Sequence, residues 1–369
     1  MRIGIIGTRG IPNQYGGFEQ FAQFVAPELV QRGHEVFVYN SSLHPFKERK
    51  WQGVDIIPKF DPENKLGPSG QFIYDFNCII DARKRNFDII LQLGYTSSSI
   101  WGFLLPQKTR IITNMDGLEW KRSKYSRRVQ KFLQKAERWA AVSSHYLIAD
   151  SKGIQGYLFE KYHRESTYIP YGAELISSKD ESILASKKLT KYGYNLLIAR
   201  MEPENNIETI IKGHVNANAS APLIIIGGYN NAFGTHLKAS YESDRIIFLG
   251  PVYDLNFLNT LRFYSLLYFH GHSVGGTNPS LLEAMASYAL IVAHQNVFNN
   301  AVLGDDAFYF STEKEIAAIL NSDINREAHA HMLTNNAEKI KNLYSWNHIV
   351  NLLENLIIHA MEKPIPTNG

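Results

Sequence analysis

The chain has 369 residues, 44% of them hydrophobic and 20% charged, with a formal net charge of +3. That length suits two domains of ordinary size, each able to bury a core. The weak net charge makes no case for nucleic acid, and the single cysteine, Cys78, excludes an internal disulfide and fits a reducing compartment.

The opening stretch from Met1 to Gly7 is too short an apolar run for a signal peptide. No stretch approaches the roughly 18 apolar residues of a spanning helix, so a soluble or peripheral protein is expected. Arg2 to Ile6 reads as a first buried strand. A loop rich in glycine follows (Gly7, Gly10, Gly16, Gly17), and a helix begins near Phe18-Glu19. Phe21, Ala22, Val25 and Leu29 recur at helical spacing, Arg32-Gly33 is a plausible stop, and Glu35 to Tyr39 is the second strand. This is a βαβ opening of the Rossmann type, without the dinucleotide fingerprint, because Gly4, Gly7 and Gly10 do not stand in GxGxxG order. The glycines either make a tight turn or form a loop that closes over a sugar phosphate.

Further strands are expected at Asp55–Ile57, Phe87–Leu93, Arg110–Thr113 and Tyr146–Ala149. Ordinary α/β domains carry functional groups at the carboxyl ends of such strands, here Gly94-Tyr95-Thr96, Asn114-Met115-Asp116-Gly117 and Asp150-Ser151. Asp116 is either a turn residue of an Asp-Gly pair or a carboxylate used in chemistry. Next, eight lysines and arginines fall between Lys121 and Arg138 against a single acid, Glu137, with Trp120, Phe132, Leu133 and Trp139 interleaved. Residues 120–139 read either as a basic amphipathic helix for an anionic membrane surface or as a solvated helix with a core face. No second basic patch supports nucleic acid.

Tyr168 to Gly172 reads as the end of a first domain, 1–172, and the polar stretch 173–192 as a linker. A second domain, 193–345, opens with the strand Asn195–Ala199, Arg200 at its carboxyl end, and a helix from Ile207 to His214. Strands at Pro222–Ile226 and Arg245–Leu249 follow, the latter leading to Tyr253, which could stack on a base or cap a turn. Ser265–Phe269 reads as a buried strand, with a turn at Gly275-Gly276 behind it. Pro279 suits the first position of a helix, which makes Asn278 its cap and leaves Glu283 to point into a cleft and accept bonds from ribose hydroxyls, in place of a Ser280–Glu283 capping box. A glycine turn at a helix N-terminus presents N–H groups, here at Thr277, Asn278 and Ser280, to an anion such as a nucleotide diphosphate. Ile291–Ala293 is the last clear strand, before helices at Glu313–Leu320, Asn325–Leu343 and Trp346–Met361. His270 and His272 form a lone HxH, and no metal site is expected.

With IARMEPENN, GPVYD and GGTNPSLLEAMA in view, the chain resembles GT-B glycosyltransferases of the retaining family four. GTRGIPNQYGGFE, NMDGLEWKRSKYS and GHSVGGTNPSLLEA are similar to bacterial rhamnosyltransferases of capsule and exopolysaccharide assembly. The resemblance implies an α/β fold of two Rossmann-like domains facing across a cleft, with the helix 346–361 packed back on the first. It implies donor-side residues Gly16, Gly17, Arg200, Asn205, Tyr253, Gly275, Gly276, Thr277, Asn278, Ser280, Leu281 and Glu283, and acceptor-side residues Arg9, Tyr15, Tyr95 and Asp116. Asp116, Arg200 and Glu283 would carry catalysis. The family's paired glutamates, with seven residues between them, here become Gly275 and Glu283, and its lysine is replaced near Asn205. The implied donor is dTDP-L-rhamnose, with no cofactor or metal. The implied acceptor is a lipid-linked saccharide at the cytoplasmic face of the cell membrane. A GT-B transferase using another nucleotide-sugar, a nucleotide-sugar epimerase and a non-catalytic sugar-nucleotide-binding partner are the alternatives.

Overall fold

The computed structural model describes residues 1–14, 16–122, 125–177, 179–218, 220–252 and 254–364. The chain divides into two compact units, one holding Met1–Lys121, Tyr125–Tyr171 and the C-terminal segment from Trp346, the other Gly172–Ser345 with Arg122.

The first unit is built on eight strands: β1 (Arg2–Ile6), β2 (Glu35–Ser41), β3 (Lys50–Trp51), β4 (Val54–Lys59), β5 (Ile89–Leu93), β6 (Arg110–Asn114), β7 (Tyr146–Ala149) and β8 (Thr167–Tyr168). Their order is β3-β4-β2-β1-β5-β6-β7-β8, parallel except for the β3–β4 pair. The helices are α1 (Gly17–Gln31), α2 (Glu63–Leu66), α3 (Gly70–Ala82), α4 (Arg127–Ser143) and α5 (Lys152–Tyr162). A parallel sheet covered on both faces needs strands that are apolar throughout, and Ile3, Ile5, Ile89, Ile90 and Leu91 are fully buried. The last helix of the chain, Trp346–Glu362, belongs to this unit. Trp346 stacks on Phe24 of α1, with ring centroids 4.4 Å apart and planes within 9°, and Arg32 donates to Glu354 at 2.7 Å.

The second unit begins with a short helix, α6 (Ser182–Ser186), and holds a six-stranded parallel sheet: β9 (Asn195–Ile198), β10 (Leu223–Ile226), β11 (Ile246–Gly250), β12 (Tyr268–His270), β13 (Ile291–His294) and β14 (Phe308–Phe310). The order is β11-β10-β9-β12-β13-β14. Around it run α7 (Ile207–Asn216), α8 (Ala232–Tyr241), α9 (Leu255–Tyr264), α10 (Pro279–Ala286), α11 (Val297–Leu303), α12 (Glu313–Asn321) and α13 (Ala330–Lys339), and the final helix of the chain is α14 (Trp346–Glu362). Leu197, Ile225, Phe269 and Val292 from the sheet and Ile210, Ile211 and Ile316 from the helices form one buried cluster.

Several expectations are corrected here. The stretch 173–192 is not a featureless linker, since α6 buries Leu184 and the Tyr192 N–H donates to the Tyr264 carbonyl at 2.8 Å. β13 is not the last strand, because Phe308, Tyr309 and Phe310 add β14 beside it. The helix expected from Asn325 starts only at Ala330.

Candidate active site

In an open α/β sheet, ligands bind at the carboxyl ends of the strands where the strand order reverses. In the second unit that point lies between β9 and β12. The segment after β9 carries Arg200, which is exposed. The segment after β12 carries the glycine turn and leads into α10.

The two segments are stitched together by side chains that link to backbone. Asn205, only 7% exposed, donates its amide to the Arg200 carbonyl at 2.7 Å. Its Oδ1 lies 2.8 Å from His272 Nδ1. Because the amide oxygen can only accept, the Nδ1 of His272 is the donor. Asn206 Nδ2 donates to the Gly271 carbonyl at 2.7 Å, and the Ser273 N–H and hydroxyl both donate to the Glu204 carbonyl. Asn296 and Asn299, at the start of α11, each donate to the His272 carbonyl at 3.1 Å. Gly271 must be glycine, since a side chain there would strike the Asn205 carbonyl.

Burial keeps the imidazoles neutral. It pushes His270 down to about 3 and His272 down to about 4, with His272 further lowered by the charges of Arg122 and Arg200. Among the described residues no group of three or more His, Cys, Asp or Glu side chains is placed to hold a metal ion.

Gly275 turns the chain with φ +117°. Asn278 caps α10 as expected: its Oδ1 accepts from the Ser280 N–H at 2.9 Å. The same bond withdraws Ser280 from the donors expected to meet an anion, and the Ser280 hydroxyl pairs with Tyr268 at 2.9 Å. Leu281 is 1% exposed, and its N–H donates to the Asn278 carbonyl at 3.0 Å, so it supports the helix start and not a ligand. Thr277 is buried. Of the N–H groups expected to meet an anion, that of Ser280 is thus already engaged within the chain.

Glu283 is not the unengaged carboxylate expected. Arg262 of α9 donates from Nη2 to its Oε2 at 2.5 Å, and Arg262 is itself only 1% exposed. Arg262 also donates to Asn259 Oδ1 at 3.0 Å. The pair fixes the carboxylate's orientation without exhausting the lone pairs of its two oxygens.

In the first unit the strand order reverses between β1 and β5. Gly7, at φ +86°, lies against the Leu93 carbonyl, where no side chain fits. Asn40 holds the following loop at both ends of its amide, accepting from the Ile11 N–H at 3.1 Å and donating to the Ile11 carbonyl at 2.8 Å. Arg9 lies in a fork with Glu63, at 2.9 and 2.7 Å, and its N–H donates to Glu19 at 2.7 Å. Gly16 caps α1 in extended conformation, and Gly17 packs close to the Tyr171 ring.

Asp116 sits after β6, half-buried, in the left-handed region at φ +52°. A non-glycine residue there is uncommon, and aspartate is among those that tolerate it. Its N–H donates to Asn114 Oδ1 at 3.0 Å, which closes the turn. Tyr95, expected beside the acceptor, is instead buried at 1% exposure with its hydroxyl 3.4 Å from Glu137. Tyr15 and Tyr253 lie outside the described residues.

Glu137 is the feature that sequence reasoning passed over. It is 2% exposed on the inner side of α4. Besides Tyr95, it accepts from Tyr162 at 2.6 Å, Tyr157 at 2.7 Å, Lys161 at 2.8 Å and the Trp120 indole at 3.2 Å. Burial and this carboxylate together raise both Tyr157 and Tyr162, so both stay protonated donors. One clue was available, since the lone acid of a basic segment stands in phase with Leu133, Ala136 and Ala140, all buried.

Residues 1–174 match a family model described as a domain of unknown function, DUF1972. No curated protein matches the chain. Solved structures do. Sucrose-phosphate synthase from Thermosynechococcus elongatus is 16% identical, over 98% of this chain and 99% of that one, with a TM-score of 0.80. HepE from Anabaena, in complex with UDP and glucose, is 15% identical over 97% and 99%, with a TM-score of 0.74. A trehalose-6-phosphate protein from E. coli bound with UDP-2-fluoro glucose is 12% identical over 99% and 100%, also at 0.74. At these identities the likeness defines the fold, which is GT-B: two Rossmann-like units, each on a parallel sheet.

Proposed function

We propose that the protein is a retaining glycosyltransferase that moves a sugar from a nucleotide diphosphate to a hydroxyl. The observation that carries this is the switch point of the second unit. There Asn205 and Asn206 tie the segment that carries Arg200 to Gly271 and His272, in the segment that runs on through the Gly275 turn to α10. The UDP and glucose bound to HepE and the UDP-2-fluoro glucose bound to the E. coli protein support the reading.

In this reaction the bond between the anomeric carbon and the diphosphate oxygen breaks, and a bond to the acceptor oxygen forms on the same face. The acceptor proton passes to the departing phosphate, so no protein nucleophile takes part. Arg200 meets the growing charge on the diphosphate with its planar fork. The dipole of α10 and the turn before it add partial positive charge. Glu283, oriented by Arg262, accepts from the ribose hydroxyls. Asp116 orients the acceptor hydroxyl in the first unit. The resemblance of both halves to rhamnosyltransferases names dTDP-L-rhamnose as the donor. It names a lipid-linked saccharide of bacterial surface polysaccharide as the acceptor, met by a peripheral protein at the cytoplasmic face.

The test is a donor screen with EDTA present, a lipid extract as acceptor, and released nucleoside diphosphate as the readout. Release from dTDP-rhamnose only when acceptor is added is the expected result. Release from another donor keeps the chemistry and replaces the sugar, and silence with every donor contradicts the transferase. In the same assay Asp116→Ala lowers turnover more than donor affinity, and unchanged turnover removes Asp116 from the catalytic residues.

A further inference from the structure

Helix α4 wears its charge on the outside. Arg127, Arg128, Lys131, Lys135 and Arg138 are all exposed, and at the helical period they fall on one arc. The only acid of the helix, Glu137, is turned inward and held by its five donors, so no acid interrupts the outer face. Arg127 and Arg128 stand in the first turn, where the helix dipole disfavours cations and no acid offsets them. This arrangement works against the stability of α4, so helix stability does not explain it.

The C-terminal end of this face is apolar. Trp139 is 40% exposed and Val142 is 56% exposed. The 3-10 segment Ser99–Leu104 packs at this end of α4, with Gly102 so close that a side chain on it would press on Ser143 Oγ at 2.9 Å. The next residue, Phe103, is 78% exposed, more than any other large hydrophobic side chain among the described residues. A row of cations edged by exposed aromatic and aliphatic groups matches a bilayer interface. Basic side chains meet anionic headgroups there, and apolar ones enter the boundary with the acyl chains.

We propose that α4 and the Ser99–Leu104 segment form one docking face for an anionic lipid bilayer, with the cations over the headgroups and Phe103, Trp139 and Val142 seated in the boundary layer. The inference goes beyond the donor site, and its test uses no turnover, so the two can fail separately.

The full-length protein is sedimented with vesicles of phosphatidylglycerol and phosphatidylcholine, and with phosphatidylcholine alone. Pelleting with the anionic vesicles only, weakened by salt, is expected. Lys131→Glu with Lys135→Glu should weaken partition by about 25-fold or more, taking about fivefold per cation near a charged surface. Phe103→Ser should weaken it several-fold while the salt dependence remains. Thermal unfolding verifies that both variants are folded. Wild-type protein left in the supernatant with anionic vesicles overturns the proposal and gives the face to an acidic protein partner. Variants that pellet like the wild type, or equal binding to neutral vesicles, overturn it as well.

Discussion

Arg262 Nη2 lies 2.5 Å from Glu283 Oε2, joining α9 to α10. The two ends of this pair differ in exposure, 1% for the arginine side chain and 23% for the glutamate. Removing the glutamate strands a charge with no access to water, whereas removing the arginine strands one that can be partly hydrated. Glu283→Ala is therefore expected to destabilise by about 3–5 kcal/mol, the range for breaking a buried pair, and Arg262→Ala by less. Denaturant unfolding of the two variants measures the order. Equal losses would mean that burial does not govern the pair.

Asn205 bonds both the Arg200 carbonyl and His272, and so links the segments after β9 and β12. Asn205→Ala takes this partner from His272 Nδ1, at a cost of about 1–3 kcal/mol where that group stays buried, while the Arg200 carbonyl keeps the bond from the Glu202 N–H at 2.8 Å. Nucleoside diphosphate affinity should fall, because the loop that carries Arg200 loses this tie. Asn205→Asp keeps the acceptor for His272 and loses the donor to Arg200, so it should fall between wild type and alanine. Calorimetric titration alongside thermal unfolding separates lost affinity from lost fold.

Acid should loosen the second unit. His214 and His272 are pushed down to about 4 and His270 to about 3, each mainly by burial, from an ordinary value of 6.5. Between those limits the unfolded chain binds protons that the folded chain refuses, so stability is fully present above 6.5 and is lost as pH falls toward 4. Each histidine then costs up to about 2 kcal/mol between pH 6.5 and about pH 5. Asp75 of the first unit runs the other way. Burial raises it to about 7 despite the bond from Ser97 at 2.6 Å, so its contribution is lost as pH rises from 3.8 through 7. Urea midpoints of wild type, His214→Phe and Asp75→Asn across this range test both signs. The histidine variant should flatten the acid limb, and the asparagine variant the neutral one.

Glu137 should be costly to remove. Glu137→Ala takes the acceptor from the hydroxyls of Tyr157 and Tyr162 and from Lys161, which keeps its contact with Tyr157 and partial access to water, and a loss of about 1–3 kcal/mol follows for each group left unsatisfied. Because Trp120 also loses its acceptor, its fluorescence should shift toward that of a more exposed indole in conditions where the variant is still folded. An unchanged spectrum would show that the hydrogen bond does not hold Trp120 in place.

Much of the frame was legible because parallel strands announce themselves. Arg2–Ile6, Tyr146–Ala149 and Asn195–Ile198 stand where short apolar runs put them. The cap of α10 was legible too, since Pro279 leaves only Asn278 to precede it. What escaped is pairing over distance. Arg262 and Glu283 are 21 residues apart, and Asn205 and His272 are 67 apart, so no local period links them. Ser280 was misjudged for a related reason: the residue that caps a helix also consumes the N–H it was expected to offer a ligand. β14 was lost because Phe308–Phe310 is too short to alternate.

The central claim is that a nucleoside diphosphate is held at the β9–β12 switch point by Arg200. Calorimetric titration of dTDP and UDP into wild type and Arg200→Ala tests it most directly. A charge-assisted contact is worth about 1.5–3 kcal/mol, so the variant should bind at least one nucleotide roughly 10- to 100-fold more weakly with its thermal unfolding unchanged. Equal affinity in the two proteins would contradict the claim and place the anion elsewhere on the chain.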